Sequence, residues 1–137
     1  MTTPVFADTY FFIAILNPND PAHAGAVSYA QTDDLPIVTS FWILTEVADG
    51  LSRSLKGRKV FLDLVQGLRD NPCCTILPLS EVEYGKALAL YASREDKQWS
   101  LTDCLSFVAM KEKGIESALT GDRHFEQAGF TCLLSAR

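Results

Sequence analysis

Short apolar runs alternate along this chain with longer stretches whose apolar residues recur every three or four positions. The short runs read as buried strands and the periodic stretches as helices. Residues 4–7 (Pro-Val-Phe-Ala) predict a first strand, and 9–16 a helix stopped by Asn17-Pro18-Asn19. Asp20 is expected to cap a second helix with Pro21 at its first position. Residues 36–39 predict a second strand. A helix over about 40–54 follows, with Leu44, Val47, Ala48, Leu51 and Leu55 as its core stripe. Gly57 is expected to precede another helix, which carries Val60, Phe61, Leu64, Val65 and Leu68 on one face and ends at Asn71-Pro72. Residues 73–77 predict a third strand. Ser80 with Glu83 has the spacing of a capping box and opens a helix through Tyr84, Leu88 and Tyr91. The polar segment 94–99 reads as a loop. A helix over 102–113 stops at Gly114, and 115–119 predict a fourth strand. Asp122 opens a short helix, and 129–134 predict a last strand.

Strands that alternate with helices favour an α/β fold of three layers, α/β/α, around a mostly parallel sheet of four to five strands. In such sheets ligands sit beyond the carboxyl ends of the strands, near the switch in strand order. Asp8 and Asp122 both fall at a predicted strand end. If those strands are neighbours, the two carboxylates lie side by side.

Composition narrows this picture. The chain has 137 residues, 47% of them hydrophobic, which predicts one domain over 1–137 with a sizeable core. The longest apolar run, 10–16, is too short to cross a membrane. The opening Met-Thr-Thr-Pro lacks the basic and apolar regions of a secretory signal, so a cytoplasmic protein is expected. Cys73, Cys74, Cys104 and Cys132 form no C-x-x-C pair, and His23 and His124 are the two histidines. Zinc ligation is therefore poorly supported, and the cysteines read as free thiols.

Net charge is −5, so bulk charge does not draw nucleic acid to this chain. A nucleic-acid enzyme of this composition needs cations, a basic partner or a local basic strip. Arg53, Lys56, Arg58 and Lys59 form one such strip, with Arg53 and Lys56 the candidate RNA contacts. The same residues also read as a solvated helix end and loop.

Four acids stand out, each with an ordinary structural reading beside it. Asp8 and Asp122 precede helices and suit N-caps. Asp103 follows Ser100 at capping-box spacing. Glu46 lies opposite the Leu44–Leu55 stripe, which suggests a wet face, yet Trp42 and Ile43 share that face. Asp8 sits between Phe6-Ala7 and Tyr10-Phe11-Phe12-Ile13, and Asp103 opens the apolar stretch Cys104 to Met110. Acids at the rim of a core are costly without partners, and no lysine or arginine lies near Asp8 or Glu46 in sequence.

The segments Val5-Phe6-Ala7-Asp8-Thr9, Leu44-Thr45-Glu46-Val47, Ser100-Leu101-Thr102-Asp103-Cys104-Leu105-Ser106 and Leu119-Thr120-Gly121-Asp122-Arg123-His124-Phe125 resemble, in order and spacing, the four motifs of PIN domains. Glu126-Gln127-Ala128-Gly129-Phe130 follows the last. The resemblance spans nearly the whole chain and is greatest to the small VapC-type toxins. It implies that Asp8, Glu46, Asp103 and Asp122 bind Mg²⁺ or Mn²⁺ and cleave RNA endonucleolytically. It implies an assisting hydroxyl, for which Thr9, Ser100 and Thr120 are the candidates. It also implies an antitoxin partner and a homodimer, with the apolar surface of 10–16 and 40–68 as the candidate contact. One departure is the Arg123-His124 pair after Asp122, where many relatives carry a further acid; Glu126 or Asp96 would have to substitute. His124 itself reads as a general acid, a phosphate contact, or a partly exposed side chain.

Two other readings compete. One is a PIN-like module that binds RNA or protein without catalysis. The other is a phospho-receiver or an aspartate-nucleophile phosphatase. The phosphatase wants a second acid two residues after the first, where this chain has Tyr10. The receiver's paired acids and late lysine are also missing.

Overall fold

The computed structural model describes residues 3–134; Met1, Thr2 and 135–137, the ends of the expected domain, lie outside it. Its order is β1 (Val5–Ala7), α1 (Thr9–Leu16), α2 (His23–Ala30), β2 (Ile37–Ser40), α3 (Phe41–Leu51) and α4 (Leu55–Asp70). There follow β3 (Cys74–Leu77), α5 (Glu81–Ser93), α6 (Leu101–Lys113), β4 (Ser117–Leu119), α7 (Arg123–Gln127) and β5 (Thr131–Cys132). The five strands form one sheet in the order β3-β2-β1-β4-β5, and every pairing is parallel. The chain thus builds outward from β1 to β3, then returns to add β4 and β5 on the other side. The switch in strand order falls between β1 and β4, where Phe6 pairs with Ala118 and Ala7 with Leu119.

Burial follows from this arrangement. Val5, Phe6 and Ala7 are all buried, as a central parallel strand covered on both faces requires. The core joins Phe12 of α1, Ile43 and Leu44 of α3, Phe107 and Met110 of α6, and Phe125 of α7. Trp42 donates from Nε1 to Ser106 Oγ at 3.1 Å, a buried bond that ties α3 to α6. Phe107 meets the rings of Trp99 and Phe125 edge-on, each at 5.0 Å. Such pairs contribute about 0.5–1.5 kcal/mol beyond area burial. They fix α7 against α6, which matters because both carry site residues.

Several local expectations need correction. The helix expected over 40–54 ends at Leu51, and Leu55, assigned to its core stripe, is 87% exposed. Ser54 caps a new helix instead, accepting from the Gly57 N–H at 2.9 Å, so Gly57 lies inside α4 and does not precede it. A Cβ at Gly57 would come within 2.2 Å of the Leu51 carbonyl oxygen; the two helices meet too closely for any side chain there. Helix α2 starts at His23, two residues later than Pro21 suggested. Asp20 still caps the turn, accepting from the Ala22 N–H at 2.9 Å. The last strand is reduced to Thr131–Cys132. The four cysteines are free. Among the described residues no helix is long and apolar enough to cross a membrane.

Candidate metal and active site

The four acids come from four elements that meet at the carboxyl edge of the sheet. Asp8 ends β1, Glu46 lies one turn into α3, Asp103 is in the first turn of α6, and Asp122 follows β4. β1 and β4 are neighbours, so the chain positions of Asp8 and Asp122 fall beside each other at the switch.

Each of the three candidate hydroxyls holds at least one of the acids. Thr120 Oγ1 donates to Asp8 Oδ2 at 3.0 Å and accepts from the Asp122 N–H at 3.0 Å, so one buried side chain pins both strand-end acids. Thr9 donates its hydroxyl to Glu46 Oε1. Ser100 and Asp103 form a complete capping box: the Asp103 N–H donates to Ser100 Oγ, and the Ser100 N–H to Asp103 Oδ2, both at 3.0 Å. The capping reading of Asp103 is therefore correct, and it does not compete with a site role. A carboxylate has about four lone-pair sites, and the cap occupies a fraction of them.

Asp8 is the most constrained of the four. It stands at the N-cap position of α1, yet its side chain makes no capping bond to that helix. Burial lifts its pKa from 3.8 to about 7. The Thr120 hydroxyl and the Thr9 N–H oppose the rise, and the nearby charges of Asp103 and Glu46 add to it. A carboxylic acid buried among other carboxylates is the electrostatic signature of a site that a cation would relieve.

His124 is the residue that sequence reasoning underrated. Its ring Nδ1 lies 3.0 Å from Asp103 Oδ2 and 3.6 Å from Asp122 Oδ1, with its side chain 23% exposed. Asp103, Asp122 and His124 place one donor atom each within 4.8 Å of one another, close enough to share a metal ion. Asp8 and Glu46 fall outside that tight trio but close enough for their charges to interact. The N–H that Asp122 caps belongs to His124, at 2.9 Å, which holds the start of α7 beside the acids. Glu46 is exposed, whereas Trp42 and Ile43 on its shared face are buried; it stands at the rim, reached by Thr9. Asp96 is taken by Arg94, at 2.9 and 3.0 Å, and lies 3.8 Å from Lys97. Glu126 is exposed in the first turn of α7. The donor set is mostly hard carboxylate oxygen without thiolate, which fits Mg²⁺ or Mn²⁺ better than zinc.

Arg53 falls in the turn after α3. Arg58 Nε donates to the Ser52 carbonyl at 2.9 Å, and Lys59 pairs with Asp63 at 3.5 Å. Arg53 and Lys56 are exposed.

No family model matches the chain. It is 25% identical over 126 residues to the 23S rRNA-specific endonuclease VapC20 of Mycobacterium tuberculosis, covering 92% of this chain and 95% of that protein. The crystal structure of VapC20, described as a sarcin–ricin loop cleaving toxin, superposes with a TM-score of 0.81 at 25% identity, covering 93% of this chain and 96% of the other. FitAB bound to a DNA fragment gives 0.71 at 18% identity, covering 93% and 92%. VapBC2 from Rickettsia felis, bound to a fragment of its promoter, gives 0.66 at 15%, covering 95% and 97%. The last two concern the fold alone. The resemblance to VapC-type PIN domains read from the four motifs thus holds across sequence and fold.

Proposed function

We propose that this chain, as a single PIN domain over 1–137, is a divalent-metal-dependent endoribonuclease and the toxin of a toxin–antitoxin pair. The observation that carries the proposal is the meeting of Asp8, Glu46, Asp103 and Asp122 at the β1/β4 switch, with Asp8 buried and pushed up to about 7. Those four acids are the proposed ligands of Mg²⁺ or Mn²⁺. When bound, such an ion neutralises the carboxylates, accepts a phosphate oxygen and lowers the pKa of a water for in-line attack on phosphorus. The chain's own part is positional. Thr120 holds Asp8 and the Asp122 backbone in one frame, Thr9 holds Glu46 at the rim, and the Ser100 cap fixes Asp103.

Similarity to a 23S rRNA-specific endonuclease over nine-tenths of the chain supports RNA as the substrate. It makes 23S rRNA, with its sarcin–ricin loop, the first RNA to test, and the proposed location is the cytoplasm. Arg53 and Lys56 are the proposed backbone contacts, being exposed. VapBC and FitAB assemblies among the structural relatives support an antitoxin. Its proposed seat is the apolar cleft of about 260 Å³ between α1 and α3, which includes Ile13, Leu16, Val47 and Leu51 and reaches Glu46. A homodimer is the proposed assembly, using exposed Phe41, Leu55 and Leu62. Mapping RNA cleavage with and without divalent ions, on wild type and Asp103→Asn, tests the reading. Metal-dependent cuts lost in the variant are expected. A wild type that binds RNA without cutting it under any divalent ion would favour the non-catalytic PIN-like module.

A further inference from the structure

A cavity of about 740 Å³ opens beside the acidic site, walled by Tyr91, Arg94, Glu95, Lys97, Trp99 and Ser100. Its volume lies within the range of ligand clefts, roughly 300–1,000 Å³. Cavity and cation site share a wall, because Ser100 lines the one and caps Asp103 in the other.

Within the cavity a flat cation is held from two directions. Asp96 grips Arg94 in the plane of its guanidinium, from Nε at 2.9 Å and from a terminal nitrogen at 3.0 Å. The Trp99 ring supports it from one face, 4.9 Å from the guanidinium carbon. Trp99 is itself fixed: its Nε1 donates to Gln127 Oε1 at 3.0 Å, and its ring packs edge-on against Phe107. Arg94 lines the cavity and keeps 39% of its side-chain surface exposed.

Charge decides what this platform suits. Asp96, just behind the wall, answers the charge of Arg94 and stands 3.8 Å from Lys97, while Glu95 contributes a carboxylate to the wall itself. Two cations against two carboxylates leave no net attraction for a phosphate. A neutral planar group is another matter, because nucleobases stack on guanidinium planes as they do on aromatic rings. A guanidinium already locked in place loses little further freedom on binding.

We propose that this cavity receives one unpaired nucleobase flanking the scissile phosphate, stacked on Arg94. The proposal rests on the ribonuclease reading above. Its competitor is a purely structural role, in which the Arg94–Asp96 pair merely stiffens the loop before α6. A surface pair of that kind contributes little to stability.

The experiment measures affinity for a fluorescein-labelled RNA hairpin spanning the mapped cut, with single abasic sites scanned across it. The whole chain is used with Asp8→Asn to prevent cleavage, alone and combined with Arg94→Ala or Arg94→Lys. Removing a stacking partner costs about 1–3 kcal/mol per base, or roughly 5- to 150-fold in affinity. One abasic position next to the cut should show such a loss with Arg94 intact and almost none with Arg94→Ala, since both changes delete the same stacking interaction. Arg94→Lys keeps the charge without the plane and should behave like Arg94→Ala. Melting temperatures within a degree or two identify variants that keep the fold. Abasic losses that are the same with and without Arg94 would overturn the proposal, as would full retention of affinity and base dependence by Arg94→Lys. Wild type that cuts RNA while Arg94 variants keep its base dependence would sink this proposal and leave the ribonuclease reading intact; absence of any cutting would remove that reading itself.

Discussion

Asp8 and Asp122 occupy equivalent places in two neighbouring βα units, yet they do different work. Each follows a central strand, has extended backbone and stands at the N-cap of the next helix. Asp122 uses its side chain as a cap, accepting from the His124 N–H at 2.9 Å, and 35% of that side chain is exposed. Asp8 makes no such bond to α1, and burial drives its pKa to about 7. One acid is part of how its helix begins. The other is a cost that α1 does not need, because the backbone alone starts it, with the Phe11 N–H donating to the Asp8 carbonyl at 3.0 Å. A buried acid whose side chain does not cap its helix marks a functional site more clearly than a capping acid does, even where the two read alike in sequence.

The sharpest way to break the comparison is Asp8→Asn. Cleavage should fall at least roughly 100-fold, as expected for loss of a ligand. Stability in metal-free buffer should rise. The folded pKa of Asp8 lies above its unfolded value of 3.8, so the folded state holds the extra proton between about pH 4 and pH 7. Stability from this residue is therefore present in full below about pH 4 and lost as pH climbs through about 7, a swing on the order of 4 kcal/mol. Thermal melts of wild type and Asp8→Asn from pH 4 to pH 8 check this. The two should converge at the acid end and separate at the alkaline end, with the variant the more stable.

At residue 122 the signs differ. Asp122→Asn keeps a capping side chain and should change stability little, whereas Asp122→Ala should cost about 1 kcal/mol. Chemical denaturation of both variants decides the point, and a gain in stability for Asp122→Ala would erase the distinction between the two acids. Thr120→Val touches both at once. It strips a donor from Asp8 and an acceptor from the Asp122 N–H. A cost of about 1–2 kcal/mol is expected, with the pH-dependent loss of stability extending to higher pH because an opposing hydrogen bond is gone. The smallest effect belongs to the basic strip. Arg53→Ala and Lys56→Ala should each make the log–log salt dependence of RNA binding shallower, by roughly 0.7 for every phosphate no longer neutralised. An unchanged slope would mark them as solvated surface.

Much of this arrangement was legible in the chain. Strands alternating with helices, joined by short connections, dictate a parallel sheet, and the acids at the ends of β1 and β4 then fall at the switch in strand order. What escaped was set by packing between elements. The apolar period runs on from α3 through Leu55, so one helix seemed to continue there. The break depends on how closely Gly57 approaches the Leu51 carbonyl, a fit that no period encodes. His124 read as a general acid, a phosphate contact or a partly exposed side chain. Its place among the acids depends on α7 being docked on α6 through Phe107 and Phe125. Asp96 looked available as a further acid, but its partner Arg94 lies two residues away on the same loop.

Calorimetric titration of Mn²⁺ into wild type and Asp8→Asn at pH 7, without RNA, bears most directly on whether the acids at the β1/β4 switch form one cation site. Wild type should bind Mn²⁺ and release protons, since Asp8 is about half protonated at its pKa of about 7 and must ionise to ligate. The variant should bind at least roughly tenfold more weakly, without the proton from residue 8. Equal affinity and equal proton release in the two proteins would contradict a cation site built around Asp8.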